Sequence, residues 1–303
     1  MRLDTHPLTE ALIASIVEIN PLQSAFMDAS LATAEAGDID DLESYIRFCN
    51  AQGMSLTYLV SCYDVIVKDT LREQLYFQRH KCYRYATFDE VAHSVYFNDA
   101  YMRQYMYGLA LTSYLWPNHR ELHHFFVQHL PREQRGAYLE IGPGHGIYMV
   151  SAMRLSAYTI FEGLDLSPTS VALTDNLLGS GHFGDFNNYT VCQKDFLSDD
   201  HLRDSYDAIV MGEVLEHVES PGSFLKKIHA LSHDETFIFI TTPINAPAID
   251  HIYLFDSLQS VEQIVSQSGL RIAHCLRVPY PGCSLEKSEQ QNLPINVAMV
   301  LAK

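Results

Sequence analysis

Ala137-Tyr138-Leu139-Glu140-Ile141-Gly142-Pro143-Gly144-His145-Gly146 is the stretch that decides how this chain is read. A short apolar run ends on a carboxylate. Three glycines at alternate positions then lead into Ile147-Tyr148-Met149-Val150, which patterns as a helix. A strand that stops on an acid and turns through glycines into a helix is a device for cradling a nucleotide. Glycine accepts backbone angles closed to other residues and lets a ligand approach the main chain. The spacing is G-x-G-x-G behind a glutamate, not the G-x-G-x-x-G of dinucleotide binders, and this counts against a nicotinamide oxidoreductase.

Around that stretch, from Pro131 onward, short apolar strands alternate with helices. The pattern predicts strands near 137–141, 158–164, 189–193, 206–211, 236–241, 271–279 and 295–302, and helices near 146–155, 168–179, 221–232 and 257–268. Such alternation means a mainly parallel sheet covered on both faces. Only Pro279-Tyr280-Pro281-Gly282 and a polar loop, read as free of helix, separate the last two strands, so these can pair antiparallel at a sheet edge. In open sheets of this kind the ligand lies beyond the carboxyl ends of the strands. Those ends carry Glu140, then Asp165-Leu166, then Asp195-Phe196, then Glu213-Val214-Leu215-Glu216-His217. Asp165 lies 25 residues after Glu140, close to the offset of ~20 at which an acid accepts ribose hydroxyls. Asp195 can accept from an adenine amine and Phe196 can stack. Any one of these acids alone would be a solvated loop residue. Four strands in succession ending in Glu or Asp point to a nucleoside.

With these motifs in order, residues 131–303 resemble the class I S-adenosylmethionine-dependent methyltransferases. Val214-Leu215-Glu216-His217-Val218, Thr241-Thr242-Pro243 and Asp250-His251-Ile252-Tyr253-Leu254-Phe255 are similar to the group holding the ubiquinone-biosynthesis O-methyltransferases and many natural-product methyltransferases. The resemblance implies a Rossmann-like seven-stranded sheet, mostly parallel with the last strand antiparallel. It implies S-adenosylmethionine as co-substrate, with Gly142, Gly144 and Gly146 beneath its amino-acid part and Glu140 nearby. Asp165 would take the ribose hydroxyls, Leu166 would pack on adenine, and Asp195 and Phe196 would meet its edge and face. Glu213 to His217 would lie beside the sulfonium and the acceptor. His217 and His251 are the candidate bases; each is equally readable as a loop-fixing side chain.

The first 130 residues have almost no strand signal and sit where such enzymes place a substrate-binding lid. Apolar periodicity predicts helices over about 11–20, 22–35, 38–53 and 55–85. The capping box Thr87-Phe88-Asp89-Glu90 opens one continuous helix to about Trp116, and Pro117 restarts the chain to Leu130. The expected division is therefore a helical lid over 1–130 and a cofactor-binding domain over 131–303. Tyr96, Tyr101, Tyr105, Tyr107 and Tyr114 crowd one segment. They are either an aromatic core face with hydroxyls at its rim or a wall over a cationic ligand. On the second reading Tyr105 stands with the catalytic residues, and Tyr101 and Tyr114 bind substrate. His119, His123, His124 and His129 lack a carboxylate to complete a metal triad and read as helix-surface histidines.

Composition narrows the partners. The formal charge of −17 and the lack of any Lys/Arg-rich run argue against nucleic acid and against a basic membrane patch, and favour a small-molecule acceptor, with a protein acceptor left open. Six scattered cysteines without a C-x-x-C pair suggest neither a zinc site nor a disulfide framework, and they read mostly as buried thiols; no metal is expected. Met1-Arg2-Leu3-Asp4 lacks a signal peptide's apolar core and no window is long enough for a membrane span, which points to the cytoplasm. The favoured activity is methyl transfer to a small metabolite. The alternatives are closure of the cofactor's own side chain to an azetidine ring with release of methylthioadenosine, and a non-catalytic nucleoside-binding module.

Overall fold

The structure is a computed structural model that describes residues 5–303; the opening Met1-Arg2-Leu3-Asp4 lies outside the described residues. Helices α1 (Pro7–Ile19), α2 (Ser24–Thr33), α3 (Ala36–Ala51), α4 (Leu56–His80), α5 (Phe88–Val91), α6 (Asp99–Leu115) and α7 (Pro117–His129) precede the first strand. Local chemistry sets several of their ends. Ser55 caps α4 by accepting from Tyr58 N, and α4 stops at His80 because Lys81 turns left-handed at φ 58°. At the start of α3 the cap is Glu35, and Asp38 reaches back to its amide at 2.8 Å, so Asp38 sits inside the helix instead of capping it.

The continuous helix expected from Thr87 to Trp116 does not form. The capping box is present and opens α5, but the chain then widens into a π-turn over Ala92–Tyr96 and leaves the helix at Phe97. Asn98 restarts it as α6 by accepting from Tyr101 N at 3.2 Å. An asparagine that can cap offers the backbone an alternative to helix continuation. Only tertiary contacts decide which wins.

The second half forms a seven-stranded sheet: β1 (Ala137–Ile141), β2 (Ile160–Asp165), β3 (Tyr189–Gln193), β4 (Tyr206–Gly212), β5 (Ser232–Ile244), β6 (Arg271–Val278) and β7 (Ile295–Ala302). Their order is β3-β2-β1-β4-β5-β7-β6. Strands β1 to β5 pair parallel. β7 runs antiparallel between β5 and β6. α8 (Ile147–Leu155), α9 (Pro168–Gly179), α10 (Pro221–Ala230) and α11 (Leu258–Gln267) connect the strands as expected. The loop after β6, read as free of helix, carries a short α12 (Leu285–Gln290) capped by Ser284.

Alternation along the strands divides the interior in two. Leu139, Ile209, Ile238 and Val297 face α10 and α11, through Leu225, Ile228, Val261 and Val265. Tyr138, Val210, Phe239 and Ala298 face the other way and share one continuous core with α7, α8, α9 and the helices before them. Phe126 of α7 packs edge-on to Phe239 with ring centroids 4.9 Å apart, so α7 lies directly on the sheet. Gly108 of α6 lets α6 lie tight on α4: a Cβ there would fall 2.4 Å from the Cys62 carbonyl oxygen. The cysteine expectation holds only for Cys49 and Cys62, which are buried. Cys82 and Cys275 are exposed, and all six are free thiols.

Candidate active site

Strand order reverses between β1 and β4, because β1 leads outward through β2 and β3 on one side and β4 leads on through β5 on the other. Their diverging connections leave a crevice at the carboxyl ends, the place where such sheets bind ligands. A cavity of about 1100 Å³ opens there. One wing is lined by Glu140, Gly142, Gly144, Asp165, Leu166, Asp195, Phe196 and Glu213. The other runs under the N-terminal helices, past Phe26, Trp116, His119 and His123.

The glycine loop adopts the conformation its spacing suggested. Gly142, Gly144 and Gly146 all have left-handed backbone, with φ 67°, 56° and 81°. Gly142 N donates to Leu164 O at 2.7 Å, tying the loop to the end of β2. Gly144 N donates to Asp165 Oδ2 at 3.2 Å, and Ser167 N to Asp165 Oδ1 at 2.8 Å. These bonds fix the carboxylate at the cavity wall. Gly146 does not line the cavity; it stands at the start of α8 against Thr174 and Leu177. Glu140 is 2% exposed and accepts from the Tyr138 hydroxyl. Burial raises its pKa to about 8, and that of half-buried Asp165 to about 6. A cation or hydroxyl-bearing ligand would compensate both. Asp195 is exposed and closes its own turn by accepting from Leu197 N at 3.0 Å. Phe196 is buried against Phe224 with one part on the cavity.

At the end of β4, Glu213 takes left-handed backbone at φ 53°, rare for a residue with a side chain. Its amide donates to Thr241 Oγ1 at 2.9 Å, and this bond holds the turn. The short 3-10 turn Leu215–His217 that follows places Glu216 fully inside, at 0% exposure. Thr242 donates to Glu216 Oε2 at 2.9 Å, while Oε1 is buried with no hydrogen-bond partner, as is Glu213 Oε1. Burial pushes both carboxyls up, and Glu213 adds to the effect on Glu216.

His217 and His251 meet edge to face, 4.7 Å between ring centroids. His217 Nδ1 lies 3.1 Å from the Asp250 carbonyl oxygen and 3.4 Å from its Oδ2. His251 Nδ1 donates to Ala246 O at 2.6 Å, since a carbonyl only accepts. That bond fixes the tautomer and leaves Nε2 unprotonated. Burial, with His217 alongside, lowers His251 to about 3, so it is neutral at ordinary pH. Asp250 is 2% exposed and also takes the hydroxyls of Tyr105 at 2.9 Å and Tyr96 at 3.3 Å.

The tyrosine-rich segment divides. Tyr105 and Tyr96 line the cavity. Tyr101 stacks behind Tyr105, at 5.7 Å and 18°, donates to Asp69 and does not line the cavity. Tyr114 is buried against Tyr45 and lies away from it. Part of the segment thus faces the cavity and part is aromatic core.

The histidines of α7 differ from the surface reading. His119 and His123 line the cavity and are held by Thr112 at 3.1 Å and Ser151 at 2.7 Å; burial lowers both to about 4. His145, from the middle of the glycine loop, joins them and bonds to Ser113 at 3.3 Å. Histidines at 119 and 123 share a helical face, which was the available signal. That this face covers a cavity came from packing.

Sheet order, glycine loop and acidic strand ends together define a Rossmann-like methyltransferase domain. A family model described as a methyltransferase domain matches residues 114–275, just over half of the chain, and the chain belongs to that family. Among curated proteins, the ubiquinone biosynthesis O-methyltransferase of Glaesserella parasuis serovar 5 (strain SH0165) is 30% identical over 111 residues, 34% of this chain and 44% of that protein. The chain thus spans less than half the length of that relative. Among solved structures, the mitomycin 7-O-methyltransferase MmcR aligns over 82% of this chain and 70% of its own, with 12% identity and a TM-score of 0.53. The cyclopropane synthase MmaA2 from Mycobacterium tuberculosis aligns over 62% and 85%, with 13% identity and a TM-score of 0.49. No helix among the described residues is long and apolar enough to cross a membrane.

Proposed function

We propose that the chain transfers the methyl group of S-adenosylmethionine to an oxygen of a small-molecule acceptor held between the N-terminal helices and the sheet. The cavity volume carries this reading. At about 1100 Å³ it exceeds the ~300–1,000 Å³ typical of a pocket for one ligand, so cofactor and acceptor fit together. The O-methyltransferase among the curated relatives supports oxygen as the nucleophile.

In this reading residues 131–303 bind the cofactor and residues 1–130 form the lid. Gly142, Gly144 and Gly146 shape the loop under the amino-acid part, and Glu140 receives the ammonium. Asp165 takes the ribose hydroxyls. Leu166, Asp195 and Phe196 frame the adenine. Glu213 faces the sulfonium, with Tyr105, His217 and His251 on the acceptor side. The acceptor oxygen, ~3–3.5 Å from the methyl carbon, attacks in line as the carbon–sulfur bond breaks. Tyr101 supports Tyr105 from behind, and Tyr114 supports the packing of α6, instead of touching substrate. The acidic surface favours a small acceptor over nucleic acid.

The test is incubation with S-adenosylmethionine, with and without a panel of phenols and alcohols, followed by mass spectrometry. S-adenosylhomocysteine and a methylated acceptor are expected. Methylthioadenosine formed without acceptor would establish ring closure instead. Tight S-adenosylhomocysteine binding with no turnover across the panel would make the chain a non-catalytic nucleoside-binding module.

A further inference from the structure

The wing of the cavity under the N-terminal helices holds three imidazoles, His119, His123 and His145. The protons of their partners set them apart. The Thr112 hydroxyl donates its one proton to the Leu109 carbonyl at 2.8 Å. Thr112 Oγ1 also lies 3.1 Å from His119 Nδ1. With its proton committed, the hydroxyl can only accept there, so His119 Nδ1 carries the ring hydrogen and Nε2 is a bare lone pair. His119 has no other hydrogen bond among the described residues.

The other two rings are arranged differently. The Ser113 hydroxyl donates to the same Leu109 carbonyl at 3.1 Å and accepts from His145 Nε2 at 3.3 Å. His145 Nδ1 then accepts from the Ile147 amide at 3.4 Å, so both of its nitrogens are used. His123 Nε2 meets the Ser151 hydroxyl at 2.7 Å, and no second bond of Ser151 among the described residues fixes which of the two donates. Only His119 combines a fixed tautomer with an unused nitrogen.

We propose that His119 Nε2 anchors the methyl acceptor by receiving a hydrogen bond from an O–H or N–H borne on a neutral ring, and that Thr112 is the positioning residue that keeps this nitrogen bare. The inference rests on the proposed methyl transfer only in calling the bound molecule the methyl acceptor.

The surroundings favour that class of ligand. Burial lowers His119 to about 4, so the ring is uncharged at ordinary pH. Trp116 stands 5.1 Å from it, ring centre to ring centre, and Phe26 packs edge-on to Trp116 at 6.4 Å. The indole N–H is spent on the Tyr63 hydroxyl at 3.2 Å, so Trp116 offers the cavity carbon surface. Asn118 donates to Asn296 Oδ1 of β7 at 2.9 Å and braces the start of α7 against the sheet, which fixes where His119 stands. A planar neutral ligand can lie on this wall. A carboxylate, an ether or a ketone would bring a lone pair against the lone pair of Nε2, and a neutral imidazole supplies no charge to offset the lost solvation. A site built to pair with a substrate hydroxyl discriminates against analogues that lack it. Thr112 is fully buried and does not line the cavity, so it acts on the ligand only through His119.

The experiment reads the histidine ring nitrogens of the isotope-labelled full chain by NMR, with resonances assigned through bonds. Phenol, anisole and benzoate are the probes, each titrated with and without S-adenosylhomocysteine. His119 should show the hydrogen on Nδ1. Phenol should shift the Nε2 resonance and bind ~5–10-fold more tightly than anisole or benzoate, the worth of one hydrogen bond. His119→Phe keeps a ring and loses the lone pair, and it should bind phenol and anisole alike. Thr112→Val keeps the shape and loses the hydroxyl. It should bring the second tautomer of His119 into the spectrum and lower the preference for phenol, which a merely structural role for Thr112 would not do. Circular dichroism on both variants separates a lost contact from a lost fold, and the wild-type tautomer and titrations need no variant. The hydrogen found on Nε2, phenol binding that leaves the His119 resonance unmoved, or an unchanged phenol preference in folded His119→Phe would each overturn the inference. Phenol held at His119 by a chain that binds no S-adenosylhomocysteine would uphold the anchor and sink the proposed methyl transfer.

Discussion

The two wings of the cavity are built by different rules. The cofactor wing comes from residues close in sequence to a strand end: the glycine loop after β1, Asp165 after β2, Asp195-Phe196 after β3 and Glu213 after β4. A parallel sheet delivers all of these to one edge whatever the helices do. The acceptor wing is assembled from α2, α4, α6 and α7 with the loop after β5, and every member depends on helix packing. The cofactor wing should therefore tolerate change in the helices and fail through single backbone atoms. The acceptor wing should fail through packing.

The largest expected effect is at Arg120. It is 3% exposed and donates to the Ser30 hydroxyl and carbonyl, the Tyr114 carbonyl and the Thr33 hydroxyl, with Asp38 3.6 Å from its Nε. Arg120→Ala removes the tie between α2, α3 and the α6–α7 corner and leaves Asp38 with His124 and the Glu35 amide. A loss of ~3–5 kcal/mol of unfolding free energy is expected from denaturant melts. A loss below ~1 kcal/mol would show that the helices hold together without it.

Next is Gly144→Val. A Cβ at that position meets Met106 Sδ at 3.5 Å and the Gly142 carbonyl oxygen at 3.9 Å, so space allows it, but the φ of 56° does not suit a β-branched residue. Stability should fall by ~1–2 kcal/mol, while S-adenosylhomocysteine affinity falls by ~100-fold, about 2.8 kcal/mol. Unchanged affinity by calorimetry would break the assignment of the loop. Asp165→Asn should cost ~10-fold in the same assay, because an amide can accept only one of the two ribose hydroxyls as well as the carboxylate did.

His119→Ala probes the other wing and should give the reverse pattern. S-adenosylhomocysteine affinity should stay within about twofold, with the acceptor KM raised by ~5–10-fold, as one lost contact costs about 1 kcal/mol. Equal effects on both ligands would mean that the wings are one site.

The last effect is a slope. Glu140 titrates near 8 in the fold against an ordinary 4.5, so the folded state keeps a proton that the unfolded chain has released. Its contribution is fully present below about pH 4.5 and is lost as pH rises through about 8. Thermal melts of ligand-free protein should therefore show stability falling across that window, and Glu140→Gln should flatten the fall. An identical pH profile for the variant would mean that Glu140 is already ionised at neutral pH.

Much of the cofactor wing was legible because the signals are local. Three glycines between Glu140 and an apolar run specify a turn, and acids at four strand ends specify what it faces. The histidine pair was only half legible. His217 and His251 each stood out at a strand-end loop, but that Glu216 joins them, with Asp250 behind His217, depends on two loops meeting. The break at Phe97-Asn98 was missed because a capping asparagine and a continuing helix compete within about 1 kcal/mol, and packing settled the choice. His119 and His123 were misplaced for a related reason. A half-polar helix face looks alike whether it meets water or a polar cavity.

What the sequence determined alone was the sheet, its direction and the ligand end of it. Strand period, glycine spacing and the offset between acids are short-range properties that each segment carries with it. Tertiary structure alone decided which tyrosines of α6 face the cavity, that the α7 imidazoles line it, and that Glu216, His217 and His251 converge. Those outcomes turn on how helices pack across the sheet, where the free energy is spread over many weak contacts and no single residue type announces the result.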